Sequence, residues 1–424
     1  MSSLLFLKNT LLLLIFGLFV SASTPEASLL IDNKETNNKD VTSRVEVLGN
    51  PFSKSAYARN VWDMQVFDGK IYLGHGNSSN DGPSPNAGPI PIYYYNPTTN
   101  KFETQDVVSS SAKKTGTKKY VDEEQIDTFK VLNGKLYIPG NDAHGEGWEF
   151  GNYYKLDNGK WIKYRNIPNG IHVYDMAYFN GNLYAAIGTD TSPDVLMSQD
   201  DGITWSKIGS VDKFGPTRAY TLFEFKKKLY AVSALLPKNN NWSDETKILC
   251  IQGCASEGIA KQETRQTTVF GSEMLPGISK NATKVPPYVR MVRTTVIDNK
   301  LLYIAGEIVN DQHWIPQSLF VATDINDARS VAFPNPKALP MDLLVRGDTV
   351  FALAYVETSP GQYTNIVYKA NSSDLVNWTE LFSFKQNTFA RSFEELNGDF
   401  YFGMGSNDNN PSELTGTILR VKKK

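Results

Sequence analysis

The chain has 424 residues, 41% hydrophobic and 21% charged, enough apolar material for a large core and too much for a disordered chain. A formal net charge of −2 gives no bulk field to recruit nucleic acid or an acidic membrane surface. Aromatics are plentiful, with 21 Tyr, 22 Phe and 7 Trp, while two cysteines alone cannot build a structural zinc site.

The N-terminus has the build of an export signal. Lys8 gives a basic flank, residues 10–20 (TLLLLIFGLFV) an apolar run, and Ser21, Ala22 and Ser23 a small-residue cleavage site. The run is short for a membrane span, so residues 1–23 are expected to be removed, leaving a secreted or periplasmic protein with no membrane attachment. Residues 24–42, rich in Asn, Lys, Thr and Asp, are expected to form a flexible leader.

From residue 61 onward one phrase returns seven times: an apolar-alternating run, a tight turn, then a short run with an aromatic near its start. The copies begin with VWDMQVFDGKIYLG (61–74), IDTFKVLNGKLYIPG (126–140) and VYDMAYFNGNLYAAIG (173–188). They continue with AYTLFEFKKKLYAVS (219–233), VRTTVIDNKLLYIAG (292–306), MDLLVRGDTVFALAY (341–355) and ARSFEELNGDFYFGMG (390–405). Their aromatics align at Tyr72, Tyr137, Tyr184, Tyr230, Tyr303, Phe351 and Tyr401. Asp-Gly and Asn-Gly turns between alternating runs predict β-hairpins, and a second hairpin follows most copies.

Four strands per repeat predict an all-β fold: a single seven-bladed β-propeller of four-stranded antiparallel blades over residues 43–424. An open ring would leave a bare sheet edge. The last repeat shows three obvious strands, so residues 43–49 (SRVEVLG) are expected to supply its fourth, joining N- and C-terminal strands. The long steps after Tyr72 and Tyr230 carry loop-like insertions. The second holds Cys250 and Cys254, expected to form a local disulfide if exported. Asn-x-Ser/Thr stands at Asn77, Asn241, Asn281, Asn371 and Asn377.

In the third repeat, SQDDGITW (198–205) falls at the turn between the third and fourth strands and resembles the Asp-box of sialidase-like propellers. The resemblance implies that Ser198, Asp200 and Gly202 stabilise the turn and that Trp205 packs between blades, an architectural role. A shorter copy, SSDLVNW, occupies residues 372–378.

Ligands of propellers normally use the face onto which the innermost strands open. At or near those entrances stand Arg59, Glu123, Glu124, His172, Tyr174, Arg218, Tyr220, Tyr288, Arg290, Arg293 and Arg391; His75, His144 and His313 follow second strands. Arg forks bind carboxylates, and aromatic rings pack on sugars, so the expected partner is an anionic polysaccharide. In β-elimination a cation neutralises the uronate carboxylate, His or Tyr takes the adjacent proton, and Tyr or His protonates the leaving oxygen. This assigns His144 or His172 as base, Tyr220 or Tyr174 as acid, and Arg218 with Arg293 as neutralisers, with Arg290, Arg59, His75 and Tyr288 binding substrate. These residue types resemble the sites of propeller-fold polysaccharide lyases such as ulvan lyases.

That mechanism requires no cofactor and no metal; a structural calcium at Asp or Glu is left open, although no calcium-loop motif is present. The alternative is a non-catalytic secreted propeller that binds a glycan or a protein. A sialidase-like hydrolase comes last, because one good Asp-box and no Arg-Ile-Pro stretch are found. The polar column Asp63, Thr128, Asp175, Thr221, Thr294, Asp342 and Ser392 is expected to be a structural ring of hydrogen bonds around the channel, and the protein to be monomeric.

Overall fold

The structure is a computed structural model. It describes residues 39–423 apart from 81, 111–116, 190, 212–216, 236–246, 255–266, 270–273, 275–288, 310–312 and 326. The expected signal peptide, Tyr288, Asn241 and Asn281 lie outside the described residues.

All seven hairpins form, for the reason the turns suggested. Asp68-Gly69, Asn133-Gly134, Asn180-Gly181 and Asn397-Gly398 each place two consecutive residues at positive φ, the geometry that matches the twist of the flanking strands. Lys226-Lys227 and Asp298-Asn299 adopt the same angles without glycine. The seven aligned aromatics stand on the second strands and are all buried, from 0% to 8% exposed. Burying each stabilises the fold by about 2–3 kcal/mol.

The hydrogen bonds then group the strands into six sheets, which corrects the expectation of seven separate four-stranded blades. Four sheets have four strands. One has five, because Val107–Ser109, which follows the first repeat, pairs in parallel with Lys160–Pro168 of the second. The sixth is an eight-stranded sheet that runs through the third and fourth repeats. Its joint is the pair Gly188↔Arg218, where the end of strand Asn182–Gly188 meets the start of Thr217–Phe225. The missing Cβ of Gly188 makes this approach possible: one built there would lie 2.0 Å from the Arg218 Cδ. A sequence rhythm counts hairpins, and it carries no signal for whether two neighbouring sheets share an edge.

The arrangement is a β-propeller. Hydrophobic clusters sit between consecutive repeats, such as Leu132, Tyr137 and Tyr153 against Val173, Met176 and Leu183. One cluster joins the last repeat to the first, through Tyr401 and Ile418 against Val61, Met64 and Tyr95. Closure follows the expected route, with Val45–Gly49 pairing antiparallel with Ile418–Val421. The end of the expected leader is held as well. Val41 is buried, Asp40 bridges to Ser383, and Thr42–Arg44 form a short 3-10 turn.

Five of the seven residues of the polar column latch neighbouring innermost strands together, whereas Thr128 Oγ1 donates to the carbonyl of adjacent Phe129. Asp63 Oδ2 accepts the Phe129 amide at 2.7 Å, Asp175 Oδ2 the Leu222 amide at 2.8 Å, and Asp342 Oδ2 the Phe393 amide at 3.0 Å. Thr221 Oγ1 donates to the Met291 carbonyl and Ser392 Oγ to the Val61 carbonyl, both at 2.8 Å. Each latch ties one repeat to the next, and the last ties the end of the chain to its beginning.

The turn at Ser198–Trp205 is equally self-contained. Ser198 Oγ accepts the Gly202 amide and donates to Asp200 Oδ1, both at 2.8 Å; Asp200 also accepts Thr204 N and Oγ1. Those Thr204 and Ser198 bonds hold the Asp200 carboxyl down to about 2. Trp205 lies edge-on to Tyr153 of the preceding sheet at 5.9 Å. Cys250 and Cys254 form a disulfide. Asn77 is buried, its amide donating to the Ser84 and Pro85 carbonyls, whereas Asn371 and Asn377 are exposed.

Candidate functional site

A cavity of about 880 Å³ is lined by the innermost strands and by the loops at one of its mouths. Its wall divides into a part whose polar groups are consumed by the fold and a part whose groups face the space.

Arg293 belongs to the first part. Its backbone takes a positive φ of 53°, uncommon for a non-glycine residue, which places the guanidinium among the latches. Nη1 bonds Asp63 Oδ1 at 2.5 Å, Nε meets Asp342 Oδ1 at 3.1 Å, and Nη2 donates to the Trp62 carbonyl. Burial works against its charge, but Asp342 and Asp63 outweigh that and raise its pKa above the ordinary arginine value. A guanidinium so engaged is a keystone for the ring.

The second part is a row of flat side chains that runs from the fifth repeat through the fourth and third to the second. Arg290 covers the Tyr220 ring at 4.2 Å and its Nη1 donates to the Tyr220 hydroxyl at 2.5 Å. Tyr220 stacks on Tyr174 at 4.5 Å, Tyr174 on His172 at 5.6 Å, and Trp148 meets His172 edge-on at 6.3 Å. The entrance motifs GIHVYDM and TRAYTL put His172, Tyr174 and Tyr220 on neighbouring strands with the same orientation. Three of these groups, Tyr174, Tyr220 and Arg290, line the cavity, and Trp148 is 54% exposed at the outer end.

His172 Nδ1 lies 3.1 Å from the Asn141 carbonyl, an acceptor, so Nδ1 carries the proton and Nε2 the lone pair. Burial, helped by the positive charge of Arg218, lowers its pKa to about 4, which keeps the ring neutral at pH 7. Burial raises Tyr174 and Tyr220 above the usual phenol range, with Arg218 and Arg290 respectively pulling the other way. Both phenols therefore hold their protons at neutral pH.

The remaining sequence candidates separate clearly. Arg218 is buried beside Tyr174, donating from Nη1 to the Thr189 carbonyl at 2.7 Å. His144 is half-exposed, its Nδ1 on buried Glu124 Oε1 at 2.8 Å, which again leaves Nε2 as the acceptor. Like His172, it does not itself line the cavity. His75 is wholly buried against Phe52, with Nε2 at 3.0 Å from the Pro91 carbonyl, and burial lowers its pKa to about 4. Arg59 pairs with Glu413 at 3.1 Å, away from the cavity wall. Tyr288 precedes the strand that carries Arg290 and lies outside the described residues. His313 opens the strand His313–Asp324.

Three wall residues, Asp142, Asp127 and Asp408, carried no weight in the sequence, and a fourth, Arg391, stood among the entrance residues without a role. Asp142 stands in the same NDAHG loop as His144, 3.5 Å from His172 Nδ1, and burial together with the nearby Glu124 charge pushes its carboxyl up to about 7. Asp127 also lines the wall, raised by burial despite a bond from Gln125. Arg391 packs its guanidinium over Trp62 at 4.3 Å and bonds Asn60 Oδ1 at 2.9 Å and the Ser406 carbonyl at 3.1 Å. Asp408 completes that side. The one available signal was position: an acid two residues before a singled-out His, and polar residues just after a second strand. Among the described residues, no three His, Cys, Asp or Glu side chains converge as a metal site would need.

No known protein family and no curated protein matches the chain. Among solved structures, it is similar to a chain of the mitotic checkpoint complex at 10% identity, over 92% of this chain and 97% of that one, with a TM-score of 0.47. YCF48 bound to D1 peptide stands at 12% identity, 90% and 96% coverage and a TM-score of 0.47. The polysaccharide lyase Uly1 stands at 10% identity, 89% and 92% coverage and a TM-score of 0.46. These likenesses are distant, and what those proteins bind or cleave is a property of them.

Proposed function

We propose that the chain is a carbohydrate-active propeller that binds a uronate-containing anionic polysaccharide and cleaves it by β-elimination. The observation that carries the reading is the continuous row Arg290–Tyr220–Tyr174–His172–Trp148, which leads from the cavity to solvent. A cation at the inner end and flat rings along the path are what an acidic sugar polymer needs: a partner for the carboxylate and apolar faces for the pyranose rings.

The roles follow from the protonation states. Arg290 pairs with the uronate carboxylate and makes the adjacent C5–H more acidic. Neutral His172 takes that proton on Nε2, Asp142 stabilising the imidazolium from the Nδ1 side. The C4–O bond breaks as the C4=C5 bond forms, and Tyr220, a phenol kept protonated by burial, delivers its proton to the leaving oxygen. His144, with Glu124 behind it, is a second imidazole of the same tautomer and the alternative base. Arg218 steadies Tyr174. Arg293 serves the site by fixing the strand that bears Arg290, instead of acting as the neutraliser first assigned to it.

The test is incubation of the purified protein with ulvan, alginate, pectin and glycosaminoglycans while following the ultraviolet absorbance of unsaturated uronate ends. A rising signal with one class, lost in Tyr220→Phe, supports the reading. Flat traces throughout, with saturable binding of the same polymers, would leave a glycan-binding propeller in its place.

A further inference from the structure

Carboxylates on the cavity wall are for the most part spent inside the protein. Asp63, Asp175 and Asp342 accept amides of neighbouring strands, and Glu394 accepts the Val66 amide and pairs with Arg346. Asp127 differs. It lines the same cavity, is only partly buried, and makes no ion pair among the described residues. Its Oδ1 accepts Nε2 of Gln125, while Oδ2 has no hydrogen bond to a described residue. That second oxygen is not among the unbonded polar atoms sealed in the interior, so it keeps surface open to a ligand.

The carboxyl is held from behind. Gln125 is buried, and its Oε1 accepts the Ser78 amide at 3.1 Å, which turns Nε2 toward Asp127. The bridge between Gly76 and Gln125 fixes the backbone at the same place. The Arg290–Tyr220 pair shares the cavity with it. Of the charges acting on Asp127, Arg290 is the strongest, ahead of Arg293, and Asp127 in turn acts on the Tyr220 phenol. Burial raises the Asp127 pKa, with Gln125, Arg290 and Arg293 pulling it back toward the ionised form. Arg290 and Asp127 therefore feel one another across the cavity, and no ion pair closes the space between them.

An acceptor and a guanidinium facing one space make a double demand on a ligand: an anion for Arg290 and a hydrogen-bond donor for Asp127. A uronate presents both, in its carboxylate and its free hydroxyls. A sulfate ester on such a hydroxyl removes the donor and puts in its place a second anion, which a carboxylate repels. We propose that Asp127 is a specificity-determining residue that accepts a free sugar hydroxyl beside the uronate held by Arg290, restricting the substrate to uronate polymers unsulfated at that position. The inference rests on the uronate reading above and narrows its substrate class.

The test uses the full chain and pairs of polymers that share a backbone: alginate, pectate and chondroitin, each beside its sulfated form, with binding followed by titration calorimetry at neutral pH. Within a bound pair, the unsulfated member is expected to bind about tenfold tighter. Asp127→Asn keeps the shape and drops the charge; it is expected to shrink that preference to about threefold or less, mainly by tightening the sulfated form. Arg290→Met is expected to weaken both members alike. Asp127→Ser serves if the asparagine variant melts early. Equal binding of both members by the parent chain, or a preference that survives both Asp127 variants, overturns the role of Asp127 and leaves the uronate reading standing. If no member of any pair binds, or Arg290→Met leaves binding intact, the uronate reading falls and takes this inference with it.

Discussion

Two arginines, three residues apart on one strand, have opposite fates. Arg293 is spent on Asp63, Asp342 and the Trp62 carbonyl, and each of those bonds ties the fifth repeat to another. Arg290 lies over Tyr220, at the head of a row of rings that ends in solvent. The residue types are alike, and burial is alike. What separates structure from function here is the identity of the partner: backbone and carboxylates of the neighbouring repeat in one case, an aromatic row facing a cavity in the other.

The sharpest way to break this comparison is to remove a latch. Asp63→Ala strips Arg293 of one carboxylate and the Phe129 amide of its acceptor, and should cost about 3–5 kcal/mol in urea unfolding, because it leaves a buried charge underpaired. A loss below about 1 kcal/mol, the range of exposed pairs, would show that the ring is ornamental. Arg290→Met comes next. Its melting temperature should move little while the elimination rate falls about a hundredfold or more, the scale of losing one preorganised charge at a developing anion.

The histidines sharpen the comparison through pH. His75 and His172 both fall from 6.5 to about 4 through burial. Between those values the unfolded chain binds protons that the folded chain refuses, so their contribution to stability is intact above about 6.5 and is lost as pH falls toward 4. His172→Gln should therefore unfold less steeply than the parent chain over that window. Direct observation of the His172 ring by NMR should give a midpoint near 4; a midpoint near 6.5 would remove the argument for a neutral base. The smallest expected effect is Ser392→Ala, which removes one bond to the Val61 carbonyl and should cost about 1 kcal/mol in the same unfolding assay.

The hairpins, the buried aromatics, the closing strand and five of the seven latches were legible in the sequence, because each is written in local chemistry: Asn-Gly turns, period-two alternation, a small polar residue at a fixed place. The sheet count was not. Gly188 meeting Arg218 fuses two repeats through a contact across 30 residues, and the parallel strand at Val107 joins a repeat it does not follow in sequence. The site was half legible. Residue types at the strand entrances led to His172, Tyr174, Tyr220 and Arg290. Nothing local distinguished Arg290 from Arg293, since a positive φ turns the second one inward. His75 read as a binding group and is a core residue, and Asp142 was passed over in favour of the histidine beside it.

The most direct measurement is a crystal structure of Tyr220→Phe soaked with a uronate oligosaccharide. The account predicts a carboxylate within hydrogen-bond reach of the Arg290 guanidinium and a sugar ring lying along Tyr174 toward Trp148. A carboxylate bound elsewhere on the molecule, with Arg290 still folded over the ring at position 220 and the cavity without sugar, would contradict it.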